Sequence, residues 1–242
     1  MHRVSVRPPY TLTIACMALA GCPAGDVCDG AIFADPADVT VQAYEDPDDF
    51  EDALVGFSCL LTVDFDDVDA DGDDPVSIDA ERYLASHGIR IEGDGEQYVH
   101  TDFGLPDDFE DAPSEPNLYA PGPMAEGNDE GGHETTVTFS VGGVGAGVAA
   151  FSAMFVDADR PDRGPSGMRI LGAGMVELDE LMGVESNGGG ATFLGFVATD
   201  ADGRPGPAIR QIDIVNGDEW AGLNESEDVA LDDFTFLEPV PD

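Results

Sequence analysis

The chain contains no lysine, and its nine basic residues, all arginine, face 51 Asp and Glu residues, which gives a formal charge of -42. So acidic a protein repels phosphate backbones and anionic lipids, which excludes nucleic acids and anionic membrane surfaces as partners. Tryptophan occurs only once, and cysteine and histidine occur four times each. The 30 glycines and 17 prolines predict many turns and short strands, while a hydrophobic content of 42% excludes a wholly disordered chain.

The first 21 residues have the order of charge and hydrophobicity of a secretory signal segment. Two arginines precede an apolar stretch from Tyr10 to Ala20, which is too short to span a bilayer. The segment ends in Leu19-Ala20-Gly21-Cys22, which resembles the lipobox of bacterial lipoproteins. The resemblance implies removal of residues 1–21, lipid attachment to Cys22 and a place in the cell envelope, with Pro23 favouring the outer membrane or cell surface. The alternative is an ordinary secretory signal followed by a chance cysteine.

Cleavage and acylation would leave two free thiols, Cys28 and Cys59, in an oxidising compartment. We predict that they form a disulfide, which would stabilise the protein by roughly 3 to 4 kcal/mol in the chain-entropy model. The alternative is two free buried thiols, because Cys59 lies in an apolar run from Phe57 to Leu61.

The remaining chain predicts an all-β domain. Residues 22–37 are expected to be the lipidated cysteine and its tether, residues 38–238 the domain, and residues 239–242 a C-terminal tail. Short helices are predicted from Asp46 to Leu54 and from Ser77 to near His87, where Gly88 is a natural helix stop. Apolar and alternating segments separated by turn residues predict strands at 39–41, 61–65, 89–92, 97–101, 135–141, 148–156, 168–171, 175–178, 191–198, 209–215 and 229–236. This pattern indicates a jelly-roll-like β-sandwich of about 8 to 11 strands with one or two short helices.

Six separated pieces of the sequence resemble a group of secreted bacterial proteins whose jelly-roll domain is similar to carbohydrate-binding modules. They are residues 63–67, Tyr83 with 88–91, 114–119, 150–157, 193–196 and 230–236. The resemblance implies that the first and last strands lie close together, with Asp64 and Asp66 near Asp232 and Asp233. It also implies a structural calcium ion near these strand ends. Many members of the group have no assigned activity.

The segment Asp67-Val68-Asp69-Ala70-Asp71-Gly72-Asp73 matches the D-x-D-x-D-G core of an EF-hand loop. Alternating Asp side chains can direct oxygens at one hard cation, and the glycine permits the sharp turn. The match then ends, because position twelve is Ile78, where a bidentate acid is required. The sequence therefore predicts a calcium loop of another type, formed by Asp67, Asp69, Asp71 and Asp73, with a dissociation constant of roughly 0.1 to 1 mM. The alternative is an acidic surface adapted to high salt, without calcium.

Few residues indicate catalysis. Acid pairs occur almost anywhere among 51 carboxylates, and neither a G-x-S-x-G motif nor a phosphate-binding glycine loop is present. Carbohydrate binding requires exposed aromatic faces, for which Trp220, Tyr98 and Tyr119 are the candidates. The alternative for Trp220 is packing over the end of the core. The sequence thus predicts a non-enzymatic envelope lipoprotein that binds carbohydrate or another surface component. A structural or adhesion protein that binds protein partners is the second hypothesis, and a hydrolase the third.

Overall fold

A computed structural model of the chain describes residues 33–55, 59–69, 76–93, 97–100, 117–121, 133–156, 158, 166–185, 190–216 and 229–241. Several residues with predicted roles lie outside these ranges, namely Cys22, Cys28, Asp71, Asp73 and Trp220.

The described residues form fifteen strands and two α-helices. The strands are β1 (Thr40–Tyr44), β2 (Leu60–Val63), β3 (Val76–Ser77), β4 (Ile89–Gly93), β5 (Gln97–His100), β6 (Leu118–Pro121), β7 (His133–Val141), β8 (Val144–Gly147), β9 (Ala150–Val156), β10 (Ser166–Leu171), β11 (Glu177–Val184), β12 (Ala191–Thr199), β13 (Gln211–Asn216), β14 (Ala230–Leu237) and β15 (Val240–Pro241). The helices are α1 (Pro47–Ala53) and α2 (Leu84–His87), and short 3-10 helices span Pro36–Asp38 and Ala173–Met175.

The strands form two antiparallel sheets that pack face to face. The first sheet has the order β1-β12-β9-β14-β6-β5-β3, with β2 also paired to β14. The second has the order β11-β10-β13-β7-β8-β15, with β4 also paired to β7. The prediction of an all-β sandwich is confirmed. The strand number exceeds the predicted range because β3, β6, β8 and β15, which span two to four residues each, were not predicted from the sequence.

The core between the sheets is rich in phenylalanine. Phe151 and Phe155 on β9 and Phe234 and Phe236 on β14 are fully buried, since alternate residues of a strand face the same side of its sheet. The rings of Phe151 and Phe234 lie 5.6 Å apart at their centroids. Each buried ring contributes on the order of 1.5 to 3 kcal/mol to the free energy of folding, so this aromatic layer fixes how β9 and β14 sit against the opposite sheet.

Helix α1 forms where the sequence predicts it. Asp46 caps its N-terminus by accepting a hydrogen bond from the Asp48 backbone N–H at 2.9 Å, and Pro47 occupies the first turn. Phe50 and Leu54 bury the helix against the outer face of the first sheet. Gly195 on β12 makes room for this contact, because an added Cβ would lie 2.7 Å from the Phe50 ring.

Several boundaries differ from the predictions. Ser77 does not begin a helix, because Val76 and Ser77 pair with Val99 and Tyr98 as β3, and α2 starts only at Leu84. Gly88 does end α2, with a left-handed φ of 71°. Val240–Pro241, expected in a tail, forms β15 and pairs with β8.

Candidate functional site

The acidic segment that follows β2 forms a tight turn at one end of the sandwich. Strand β2 pairs with β14 through Val63 and Phe234, so Asp64 leaves the sheet beside Asp233. The Asp64 carboxylate accepts a hydrogen bond from the Asp66 N–H at 3.2 Å, and the Val68 N–H donates to the Phe65 carbonyl at 3.0 Å. The Phe65 ring is fully buried and stacks on Tyr119 at 5.2 Å, which anchors the turn to the core.

Asn117, which comes just before β6, is enclosed by this turn. Its side chain is 2% exposed, and its Nδ2 donates to the carbonyls of both Phe65 and Val68 at 3.0 Å. Its backbone N–H donates to the Asp66 carboxylate. Its Oδ1 is buried and accepts no hydrogen bond from any residue that the structure describes. We call Asp64–Val68 together with Asn117 the Asn117 turn.

The carboxylates of the Asn117 turn differ in their partners. Asp67 accepts the Tyr83 hydroxyl at 2.6 Å through Oδ1 and the Arg82 guanidinium at 3.1 Å through Oδ2. Burial and this hydrogen bond raise the pKa of Tyr83 above its usual range. Partial desolvation of the carboxylate and the negative charges of Asp64 and Asp67 raise the pKa of Asp66, while the hydrogen bond from the Asn117 N–H opposes that shift. Both oxygens of Asp67 are therefore engaged, whereas Asp66 carries charge repulsion from its neighbours.

The predicted calcium loop can be followed only as far as Asp69. Asp67 and the exposed Asp69 are described, while Asp71 and Asp73 lie outside the described residues. Within the described ranges, no three His, Cys, Asp or Glu side chains are arranged to hold a metal ion. The described part of the loop thus contains no preassembled set of carboxylate ligands.

Asp232 and Asp233 occupy an irregular position in β14. The register against β9 shifts between Asp232 and Thr235, and Asp233 has a φ of 47°. At this point β14 changes its neighbour on the other side, from β6 at Leu231 to β2 at Phe234. Asp232 is fully buried and accepts a hydrogen bond from the Asp233 N–H at 2.9 Å. The bulge therefore lies directly beside the start of the Asn117 turn.

The predicted aromatic candidates fall in different environments. Tyr119 is fully buried, and its hydroxyl donates to Gln97 Oε1 at 3.3 Å, so it is a core residue and offers no exposed face. The prediction of an exposed aromatic face at Tyr119 is wrong, because the ring stacks on Phe65 inside the core. Tyr98 is half-buried on β5, and Trp220 lies outside the described residues.

An open hollow, which sequence reasoning missed, lies between β1 and α1. It has a volume of about 650 Å³ and is lined by Gln42, Ala43, Tyr44, Glu45, Asp46, Asp49 and Ala53. The half-buried Tyr44 ring contacts Phe50 edge to face at 6.1 Å, which fixes it in place. The only signal in the sequence was an aromatic residue between a short strand and an acidic helix cap. We call this feature the Tyr44 hollow.

Cys59 is disulfide-bonded in the structure. The other three cysteines of the chain precede residue 33 and lie outside the described residues, so the pairing with Cys28 stays a prediction. The Cys59 carbonyl accepts the Glu238 N–H at 2.9 Å, which ties the cysteine to the end of β14.

Among the helices that the structure describes, none has the length and apolar character needed to cross a membrane.

No protein-family model matches the chain, and no curated protein matches it either.

Proposed function

We propose that the protein is a lipid-anchored protein of the cell envelope whose acidic β-sandwich binds carbohydrate or another surface component without catalysis. The Tyr44 hollow is the observation that carries the binding part of this proposal. It combines an aromatic ring with amide and carboxylate groups, from Gln42, Glu45 and Asp49, around an open concavity.

These side chains suit a polyhydroxylated ligand. The C–H face of a sugar packs against an aromatic ring, while carboxylate and amide oxygens accept hydrogen bonds from its hydroxyl groups. The contact of Tyr44 with Phe50 holds the ring before the ligand arrives, which reduces the entropic cost of binding. The acidic rim also favours neutral or cationic glycans over anionic ones.

A glycan array with the purified protein tests this proposal. We expect binding to a neutral or amino-sugar glycan that Tyr44→Ala weakens roughly 5- to 30-fold, because one stacked ring contributes on the order of 1 to 2 kcal/mol. Tyr98→Ala and Trp220→Ala are the matched aromatic variants, and unchanged melting temperatures control for folding. An array without hits, or hits that only Trp220→Ala removes, would overturn the assignment to the Tyr44 hollow.

The lipid anchor is the second part of the proposal, supported by the signal segment and by Cys22. An alkyne-tagged fatty acid should label the wild-type protein in a bacterial host and leave Cys22→Ser unlabelled. Labelling that persists in Cys22→Ser would contradict the anchor.

We also propose that calcium stabilises the sandwich, since millimolar calcium outside cells matches the affinity of extracellular modules.

A second candidate function, adhesion to a protein partner, is favoured by one observation. Met175 and Val176 are 62% and 61% exposed, next to the start of β11, which pairs only with β10 among the described strands. Exposed apolar residues at a sheet edge suit pairing with another chain. If the protein captures one defined envelope protein and Val176→Asp abolishes that capture, adhesion is supported. Glycan binding that depends on Tyr44 would instead favour the carbohydrate-binding function.

A further inference from the structure

We propose that the open edge of β1 is a docking site for an extended basic segment of another protein, which adds to the first sheet as one more strand beside Ala43. This inference goes beyond the proposed carbohydrate binding, because it uses the backbone of β1 along the Tyr44 hollow. It does not require a sugar against the Tyr44 ring.

The lining of the Tyr44 hollow shows where the hollow lies. Consecutive residues from Gln42 to Asp46 line it, together with Asp49 and Ala53 of α1. Alternate residues of a strand face opposite sides of its sheet. A hollow over the outer face alone would therefore be lined by Gln42 and Tyr44 but not by Ala43, whose side chain packs against the core. The Tyr44 hollow thus reaches around the edge of β1.

The hydrogen bonds of β12 show which backbone groups this edge leaves open. Ala198 lies opposite Val41. Its N–H donates to the Ala149 carbonyl at 2.8 Å and its carbonyl accepts the Gly206 N–H at 2.9 Å, both on the side away from β1. Val41 and Ala198 are therefore a non-hydrogen-bonded pair of the ladder, so the N–H and C=O of Val41, and by alternation those of Ala43, point away from β12. Within the described ranges, no backbone group pairs with them.

The regularity of β1 makes it a better template for an added strand than the edge at β11. The register of β1 against β12 is continuous from Thr40 to Tyr44. The register of β11 against β10 shifts twice, opposite Ser166–Gly167 and opposite Ile170–Leu171. Irregularities of this kind protect an edge from pairing. An incoming strand therefore finds an uninterrupted row of donors and acceptors at β1.

Charge determines which strand can bind at this edge. Glu45, Asp46 and Asp49 line the Tyr44 hollow, no basic residue of the described ranges does, and the described ion pairs lie elsewhere. A second copy of the chain, with a formal charge of -42, is repelled. The chain's own residues 22–32 contain acids but no base, so they do not complement the hollow either. An extended segment with Lys or Arg at alternate positions fits, because it directs its basic side chains to one face.

Fluorescence-polarisation titration of the purified protein with labelled octapeptides tests this site. The probe alternates Lys and Val, an alternating Glu-Val peptide reverses its charge, and octalysine measures attraction by charge alone. We expect the Lys-Val peptide to bind more tightly than octalysine, although octalysine carries twice its side-chain charge, because only the former has the strong preference of a β-branched residue for a strand. The Glu-Val peptide should not bind.

Ala43→Pro tests the backbone pairing, because it deletes the outward N–H and leaves the ladder to β12 intact. It should weaken binding of the Lys-Val peptide roughly 2- to 12-fold, as expected for the loss of one hydrogen bond. Ala43→Ser, which keeps the N–H, should bind like the wild type. Glu45→Gln with Asp49→Asn should weaken binding roughly 2- to 30-fold. The same loss of charge at two exposed acids outside the hollow, in Glu81→Gln with Glu185→Gln, should leave it unchanged.

Amide hydrogen exchange followed by NMR gives a second measurement that needs no variant. The N–H groups of Gln42 and Tyr44 point to β12 and should exchange slowly with or without peptide. Those of Val41 and Ala43 should exchange fast in the free protein and slowly when the Lys-Val peptide is bound. Binding that leaves Ala43 unprotected, or octalysine that binds as tightly as the Lys-Val peptide, would overturn the site.

The glycan array separates this inference from the proposed function. Glycan hits that depend on Tyr44, without binding of the Lys-Val peptide, would overturn the docking site and leave carbohydrate binding intact. Peptide binding that protects Ala43, with an array without hits, would support the docking site and overturn the carbohydrate assignment.

Discussion

The Tyr83 hydroxyl donates a hydrogen bond to Asp67 Oδ1 at 2.6 Å, and this bond joins the segment before α2 to the acidic turn after β2. Tyr83 is 5% exposed, and its ring packs edge to face on Phe65 at 5.7 Å. The same tyrosine thus fixes the turn through its ring and through its hydroxyl. Asp67 is thereby part of the scaffold that holds the Asn117 turn in place.

We expect Tyr83→Phe to lower the free energy of unfolding by about 1 to 2 kcal/mol, since it removes a hydrogen bond to a charged acceptor but keeps the ring. Urea denaturation at neutral pH measures the loss. Combined with Asp67→Asn in a double-mutant cycle, the two changes should be coupled rather than additive. Additive effects would mean that the hydroxyl and the carboxylate do not interact in solution.

The raised pKa of Asp66 predicts a pH-dependent effect in EDTA. Because the pKa of Asp66 in the folded protein lies above its ordinary value of 3.8, the folded state binds this proton more tightly than the unfolded chain does. Charged Asp66 therefore destabilises the protein at neutral pH, and the penalty disappears as the pH falls from the folded-state pKa to below 3.8. We expect the melting temperature of Asp66→Asn to be higher than that of the wild type at pH 7 and equal to it near pH 3.

Asp69→Asn is the control for the general effect of removing one negative charge. If it raises the melting temperature at pH 7 as much as Asp66→Asn does, the repulsion at Asp66 is not specific to the turn.

Gly88 should tolerate no side chain. It has a φ of 71°, and a Cβ there would lie 2.8 Å from the Ser140 carbonyl oxygen. The backbone N–H of Ser140 donates a hydrogen bond to the Gly88 carbonyl, which holds the two backbones together. Gly142 has a similar φ of 59° but open space around it. Gly142→Ala should cost about 1 to 2 kcal/mol from the left-handed backbone alone, and Gly88→Ala at least about 1 kcal/mol more from the clash. Equal losses in chemical denaturation would rule out the close contact with Ser140.

Cys59→Ser should lower the free energy of unfolding by roughly 3 to 4 kcal/mol, and reduction of the wild type should have the same effect. Peptide mapping under non-reducing conditions should recover Cys59 joined to Cys28. A bond from Cys59 to Cys22 would contradict the predicted pairing and the lipid anchor together, because an acylated thiol cannot form a disulfide.

The local signals in the sequence were sufficient for α1 and most long strands. Asp46 and Pro47 define a helix start within a few residues, and strands such as β9 and β12 carry enough apolar residues to be recognised alone. The errors occurred where a distant partner decides the structure. Ser77 is a good helix cap in isolation, but in the folded chain it pairs with Tyr98 on β5 as part of a strand.

The start of β11 was also misplaced. The predicted strand began at Met175, but that residue closes a 3-10 helix with a φ of 61°, and the strand begins at Glu177. Hairpin geometry against β10 sets this boundary, and single-residue propensities do not report it.

For the candidate sites too, some features follow from the local sequence and others only from tertiary contacts. Composition and order along the chain determined the acidity of the protein and an all-β fold, and they predict a signal segment, because these depend on residue types and on local periodicity. Only the tertiary structure placed Asn117 inside the turn after β2, buried Tyr119 and brought Tyr44 beside α1. Each of these depends on contacts between residues far apart in the chain, which long-range packing selects and no local pattern encodes.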